Sequence, residues 1–293
     1  MTLAKITIIA LQASIFATVF CLGLEATLQD AVSLFRRPVM LLRSLLSMNV
    51  TMPVFAALLA GVFHLNPAVK IALIMLAVSP IPPILPQMQM KAGGGSSYVY
   101  GLLVAVSLLS IVTVPVTIEI LGRVFSQDAH ISPVAVARVV TMTILLPLGL
   151  GIFVHSRAPG FAQRAGKSLA RMATVLLLIS AVPLFVMAGR EMFLLLGNGT
   201  LLAIIAFIVF GILVGHFLGR PDPGEQTTLA LATASRHPGL AMTIAAVNFP
   251  AQRKPVAAAI LLYMVVRFLL VIPYTRKRRS AEEVTPEKTR QAA

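Results

Sequence analysis

Long apolar runs alternate with short polar connections along this chain. About 20 predominantly apolar residues are enough to cross a bilayer as a helix. Nine such runs stand out, at about Ile6–Leu24, Val39–Phe63, Ala68–Ala92, Ser97–Leu121, Ser132–Val154, Leu169–Ala188, Thr200–Leu218, Gln226–Asn248 and Pro255–Tyr274. The pattern predicts an all-α polytopic membrane protein with about nine transmembrane helices. The connections leave no room for an inserted soluble domain, so residues 1–274 read as one transmembrane domain. Residues 275–293, "TRKRRSAEEVTPEKTRQAA", read as a basic, disordered cytoplasmic tail whose role is orientation. The first run follows Lys5, as a signal peptide would. Its length, and the lack of a small-x-small site before Glu25, favour a retained helix.

Two of the runs cannot be smooth helices. The third reads "NPAVKIALIMLAVSPIPPILPQMQMKAGG", with Pro80, Pro82, Pro83 and Pro86 near its middle. Each proline removes a backbone donor and crowds the preceding turn. Two half-helices joined by unwound backbone are therefore expected. In hydrocarbon, unwound backbone is tolerated only where protein or a water-filled cavity satisfies it. The eighth run, "DPGEQTTLALATASRHPGLAMTIAAVNF", has its own breaker at Pro238-Gly239. Sixteen residues separate Pro67 from Pro83, and fifteen separate Pro223 from Pro238. Spans 3 and 8 are an odd number of crossings apart, so they run in opposite directions. Matched, interrupted helices in two inverted halves are the sequence mark of a secondary transporter's binding site.

Composition supports the membrane reading. Of 293 residues 58% are hydrophobic and 12% charged, with mean hydropathy +0.91. Soluble domains are about 25% charged. The net charge of +14 would point to nucleic acid in a soluble chain. Here the basic residues fall mostly in loops and tail, so membrane lipids are the expected partner and nucleic acid is not. Placing the C-terminus in the cytoplasm puts about twice as many Lys and Arg inside as outside. The expected topology is N-terminus outside and C-terminus cytoplasmic, in an inner or plasma membrane. The single cysteine, Cys21, excludes internal disulfides and a cysteine-based metal cluster.

From "FRRPVMLLRSLLSMNVTMPVFAALLAGVFHL" through "SRHPGLAMTIAAVNFP" the chain resembles the bile acid:sodium symporter family. The resemblance implies a panel domain and a core domain, with the two broken helices crossing in the core. The core would be approximately 38–121 and 199–274, and the panel approximately 5–25 and 131–190. Nine spans fit the variant that lacks one panel helix at the start. The family's sodium residues do not carry over. Its first broken helix has Ser-Asn where Leu85 and Pro86 stand. Its second has a Glu where Ala232 stands, and Gln-Asn where Arg236 and His237 stand. Of two hydroxyl positions on the next helix, one is Leu103 and the other Ser107.

Sodium is a hard cation that takes several oxygen ligands. No Asp or Glu lies near the middle of any span, and Glu25 and Glu119 sit at span ends. A guanidinium would repel the ion. No family-type sodium site, no metal and no cofactor are therefore expected. Arg236 has two readings. It pins the crossover by donating to carbonyls that the prolines free, or it also faces a cavity and pairs with an anionic substrate. His237 is a hydrogen-bonded strut or a carrier of a coupling proton. Ser235, Thr233, Gln87, Gln89, Ser107 and Asn248 complete the candidate binding set. Pro80, Pro82, Pro83, Pro86, Pro238 and Gly239 form the helix breaks. Arg267 is expected to snorkel to the cytoplasmic interface. Asn49 and Thr51 are read as helix-packing groups.

The function implied is secondary transport of a small organic anion, a carboxylate or sulfonate, by alternating access and without the usual sodium coupling. Two alternatives are a sodium symporter with a rebuilt cation site and an efflux carrier of auxin or arsenite type. The arsenite version lacks a cysteine near either break. An intramembrane enzyme would need a nucleophile with a base, paired acids or metal ligands at depth. The five histidines (His64, His130, His155, His216, His237) are scattered instead.

Overall fold

The computed structural model describes residues 3–291, and the side chains of residues 6–278 apart from Lys167. Among the described residues the secondary structure is helical, without strands. The helices are α1 (Leu3–Glu25), α2 (Leu28–Val32), α3 (Pro38–Leu45), α4 (Met52–Val62), α5 (Pro67–Val78), α6 (Leu85–Lys91), α7 (Ser96–Val124), α8 (Pro133–Val140), α9 (Leu146–Arg157), α10 (Pro159–Leu194), α11 (Thr200–Leu218), α12 (Pro223–Ala234), α13 (Pro238–Asn248) and α14 (Arg253–Gln291). π-helical turns at Leu46–Thr51 and Thr141–Leu145 join α3 to α4 and α8 to α9. Among the described residues seven helical segments are long and apolar enough to span a membrane. The two remaining spans are the broken pairs α5–α6 and α12–α13.

Both broken spans begin with the same device. Asn66 accepts a hydrogen bond from the Ala68 amide, and Pro67 follows it. Asp222 accepts from the Glu225 amide, and Pro223 follows. An Asx cap satisfies a free amide, and a proline in the first turn removes one that has no partner anyway. The two spans lie antiparallel. A crevice brings Pro67 and Lys70 of α5 beside Phe249, just past the end of α13. At the other end Gly224 approaches the Gly93 carbonyl, and Gln89 of α6 donates to the Thr228 carbonyl of α12 at 2.8 Å.

Around the crossing, α5 packs on α13 and α14, and α12 packs on α11. The last contact is close. Gly211, Gly215 and Gly219 recur every fourth residue on α11, and a methyl group on Gly215 would lie 2.5 Å from the Leu229 carbonyl. Small residues let membrane helices approach backbone to backbone. Helix α1 packs separately, against α9 and α10. Exposed apolar side chains such as Leu58, Leu202 and Phe268 are ordinary on an outer surface solvated by lipid.

The sequence reads residues 275–293 as disordered; the backbone of α14 is helical to Gln291. Arg, Lys, Glu and Gln are favourable helix residues, and extending an existing helix avoids the cost of nucleation.

Candidate functional site: the crossover

Pro80, Pro82 and Pro83 lie in the unwound segment between α5 and α6. Pro86 does not; it occupies the first turn of α6, where a missing amide costs nothing. Pro238 likewise opens α13, so the second unwound segment is Ser235–His237 alone. Gly239 follows within α13, where a methyl group would sit 3.2 Å from the His237 ring.

In an α-helix the carbonyl of residue i accepts from the amide of i+4. Pro83 therefore orphans the Ser79 carbonyl, and Pro238 orphans that of Ala234. Both are satisfied at the crossover. Arg236 Nη1 donates to the Ser79 carbonyl at 3.2 Å. The Tyr263 hydroxyl donates to the Ala234 carbonyl at 2.6 Å and accepts from the Arg236 amide at 3.1 Å. Arg236 Nη2 reaches a third element, the Met48 carbonyl, at 3.0 Å. Met48 lies in the first π-turn, where the i+5 position is Pro53, again without an N–H. One guanidinium thus spans span 2 and both broken spans, and it is 2% exposed. It answers carbonyls only, and its Nε has no acceptor among the described residues.

The two breaks also touch directly. The His237 amide donates to the Pro80 carbonyl at 2.8 Å. His237 Nδ1 accepts from the Leu240 amide at 3.2 Å and so caps α13. An acceptor nitrogen carries no proton, which places the imidazole hydrogen on Nε2. That nitrogen lies 3.4 Å from Thr143 Oγ1, whose own proton goes to the Val139 carbonyl. Thr143 belongs to the second π-turn. Both π-turns therefore face the unwound part of span 8, one through Met48 and one through Thr143. π-turns inside helices are frequent at functional sites.

The other candidates divide. Ser235 caps α12, and its hydroxyl accepts from Arg267 Nη1 at 2.7 Å. Thr233 shares a 2.6 Å hydrogen bond with Ser47. Gln87 is half-buried on α6. Ser107 is buried on α7, its hydroxyl without a partner among the described residues. Asn248 does not belong to the crossover. It sits at the far end of α13, taking the His130 amide at 2.7 Å and giving to the His130 carbonyl at 2.9 Å. Asn248 ends its helix and holds the loop before α8, whose His130 is 118 positions away in sequence. Asn49 gives to Thr113 at 3.1 Å and Thr51 gives to the Ser47 carbonyl at 2.6 Å, as packing groups do.

The sequence reading missed three contributors, and it misplaced Arg267. Arg267 does not snorkel: it is 8% exposed and faces the crossover. The signal was in the last helix, where Val256, Ile260, Tyr263, Arg267 and Val271 recur at helical spacing and are all buried. That stripe also contains Tyr263. Met48 and Thr143 carried no such signal, since one acts through its carbonyl and the other through a π-turn.

No group of three or more His, Cys, Asp or Glu suited to a metal occurs among the described residues. The ion pairs among the described residues, Arg37–Glu225, Arg123–Glu119 and His130–Asp128, leave Arg236 and Arg267 without a carboxylate.

The chain is 29% identical over 238 residues to the P3 protein of Bos taurus, and 28% identical over 238 residues to that of Homo sapiens. Each alignment covers 76% of this chain and 45% of the relative. It is 24% identical over 251 residues to sodium/bile acid cotransporter 4 of Mus musculus, covering 81% of this chain and 56% of that protein. The chain thus spans about half the length of the curated relatives it matches. The profile of the Sodium Bile acid symporter family matches residues 13–195, which is more than half of the chain. This integral membrane protein belongs to the sodium bile acid symporter family.

Proposed function

We propose that the chain is a secondary transporter of a small organic anion, a carboxylate or sulfonate, that works without sodium. One observation carries the reading: Arg236 donates to the Ser79 carbonyl beside the C-terminal end of α5, with no carboxylate paired to it among the described residues. A half-helix C-terminus carries partial negative charge and freed carbonyls, and in broken-helix transporters such ends coordinate the coupling cation. Here a tethered cation holds that place. The N-terminus of α13, which begins two residues after Arg236, adds partial positive charge. Family membership, and the name of the cotransporter relative, support a carrier over an enzyme.

In this reading α1, α8–α9 and α10 are the panel, and the remaining spans are the core. They rock against each other about the crossover, with the N-terminus outside and the C-terminus in the cytoplasm of an inner or plasma membrane. The neutral His237 tautomer favours a strut over a proton carrier.

The test is thermal stability of detergent-purified protein in sodium and in choline, with a panel of organic anions, followed by uptake into proteoliposomes. Stabilisation and uptake by an anion, equal in the two salts, are expected. Stabilisation by sodium alone would restore a cation site and overturn the reading.

A further inference from the structure

The two buried arginines spend their donors differently. Arg236 gives both terminal nitrogens to carbonyls, and its remaining nitrogen is sealed from solvent. Arg267 gives Nη1 to Ser235 and finds no acceptor for Nε or Nη2 among the described residues. Arg267 keeps 8% of its surface open against 2% for Arg236. Ser235 is the C-cap of α12, just as Ser79 is the C-cap of α5. Each arginine therefore contacts the inner end of one half-helix. Only one of them has a free edge.

We propose that Arg267 holds the headgroup of the transported molecule. The Nε–Nη2 edge of a guanidinium presents two parallel N–H donors, which match two oxygens of one carboxylate or sulfonate. Ser235 fixes the guanidinium through Nη1, so the edge is oriented before the ligand arrives. With no carboxylate paired to it among the described residues, the buried charge attracts an oxyanion and disfavours a cation. Arg236 stays a strut. This assignment rests on the anion-carrier reading above and names the residue that serves it.

Phenylglyoxal, which modifies accessible guanidinium groups, tests the site without assuming transport. The purified full chain is labelled, and the modified arginines are mapped by mass spectrometry. Arg267 should react, Arg236 should not, and benzenesulfonate and benzoate should slow the reaction at Arg267 at least threefold. An unreactive Arg267, under conditions that label exposed Arg123, overturns the assignment. So does a reaction that neither anion slows.

Benzenesulfonate flux in proteoliposomes then separates this inference from the reading beneath it. Arg267→Gln should raise the half-saturating concentration about tenfold or more, as loss of a charge-assisted pair does. Arg267→Lys, which keeps the charge and loses the fork, should fall between. Wild-type flux that Arg267→Gln, still helical and monodisperse, leaves unchanged overturns Arg267 alone. Protection of Arg267 without any flux overturns the carrier and keeps the site.

Discussion

The backbone amide of His237 donates to the carbonyl of Pro80 at 2.8 Å, joining the unwound centre of one broken span to that of the other. Proline cannot donate, but its carbonyl still accepts. The same residues that break span 3 thus supply acceptors to span 8. Span 8 donates again one residue earlier, from Arg236 to the Ser79 carbonyl. The crossing is held by polar groups that a continuous helix would have consumed internally.

Arg236→Ala removes the donor from two buried carbonyls, those of Ser79 and Met48. An unsatisfied buried acceptor costs about 1–3 kcal/mol. The variant should show a clearly lower unfolding temperature in detergent, and Arg236→Lys, with one ammonium for two carbonyls, should lie between. An Ala variant as stable as wild type would mean that the arginine's burial costs as much as its bonds return.

Tyr263→Phe keeps the ring, which packs edge-on against Phe207 at 6.0 Å between centroids. It loses the hydroxyl that closes the Ala234 carbonyl and the Arg236 amide. The expected loss is about 1–3 kcal/mol, visible as a lower thermal midpoint with unchanged helicity.

For His237 the geometry predicts indifference to pH. Protonating Nδ1 would turn the acceptor of the Leu240 amide into a donor and break the cap. Anion uptake should therefore be flat between about pH 6 and 8, the range in which a free histidine titrates. His237→Asn, which can also cap a helix, should be tolerated. His237→Ala should cost about 1 kcal/mol in thermal stability.

Gly215→Ala puts a methyl group against the α12 backbone, where there is none to spare. Overpacking of this kind costs about 1–3 kcal/mol. Gly61→Ala, a position with nothing within 4 Å, is the control and should be neutral or slightly stabilising.

Asp30 ties the loop after α1 to α7. Its carboxylate accepts from Ser97, and from the Thr27 amide at 3.1 Å and hydroxyl at 2.6 Å. Partial burial works against the charge, and these bonds outweigh it, holding the pKa below the ordinary 3.8. A depressed carboxylate stabilises above its unfolded pKa, and that contribution fades as pH falls through the folded value. Asp30→Asn should therefore lower the thermal midpoint at pH 7, and the gap to wild type should close at pH values below 3.8.

Much of the fold was legible because membrane helices announce themselves one at a time. Apolar length gives the spans, and four prolines in seven residues mark a break wherever the chain folds. The matched proline spacing after Pro67 and Pro223 marked the repeat, and the odd number of crossings between spans 3 and 8 gave its inversion. The Ser79 carbonyl could be anticipated as an acceptor, since Pro83 frees it by simple counting. Asn248 was placed at the crossover because position relative to a helix end decides what such a residue does, and the ends were known only to within a few residues.

The sequence by itself determined that this chain crosses a membrane in helices, that spans 3 and 8 are interrupted, and that a guanidinium must lie at the second interruption. Those are local consequences of apolar length, missing amides and a charge with nowhere else to go. Only the tertiary structure decided which groups the arginines meet. Ser79 and Arg236 are 157 positions apart, and Met48 and Arg236 are 188. A hydrogen bond between such positions depends on how whole helices cross. The same is true of Arg267, which the sequence sends to the interface and the packing of α14 turns inward.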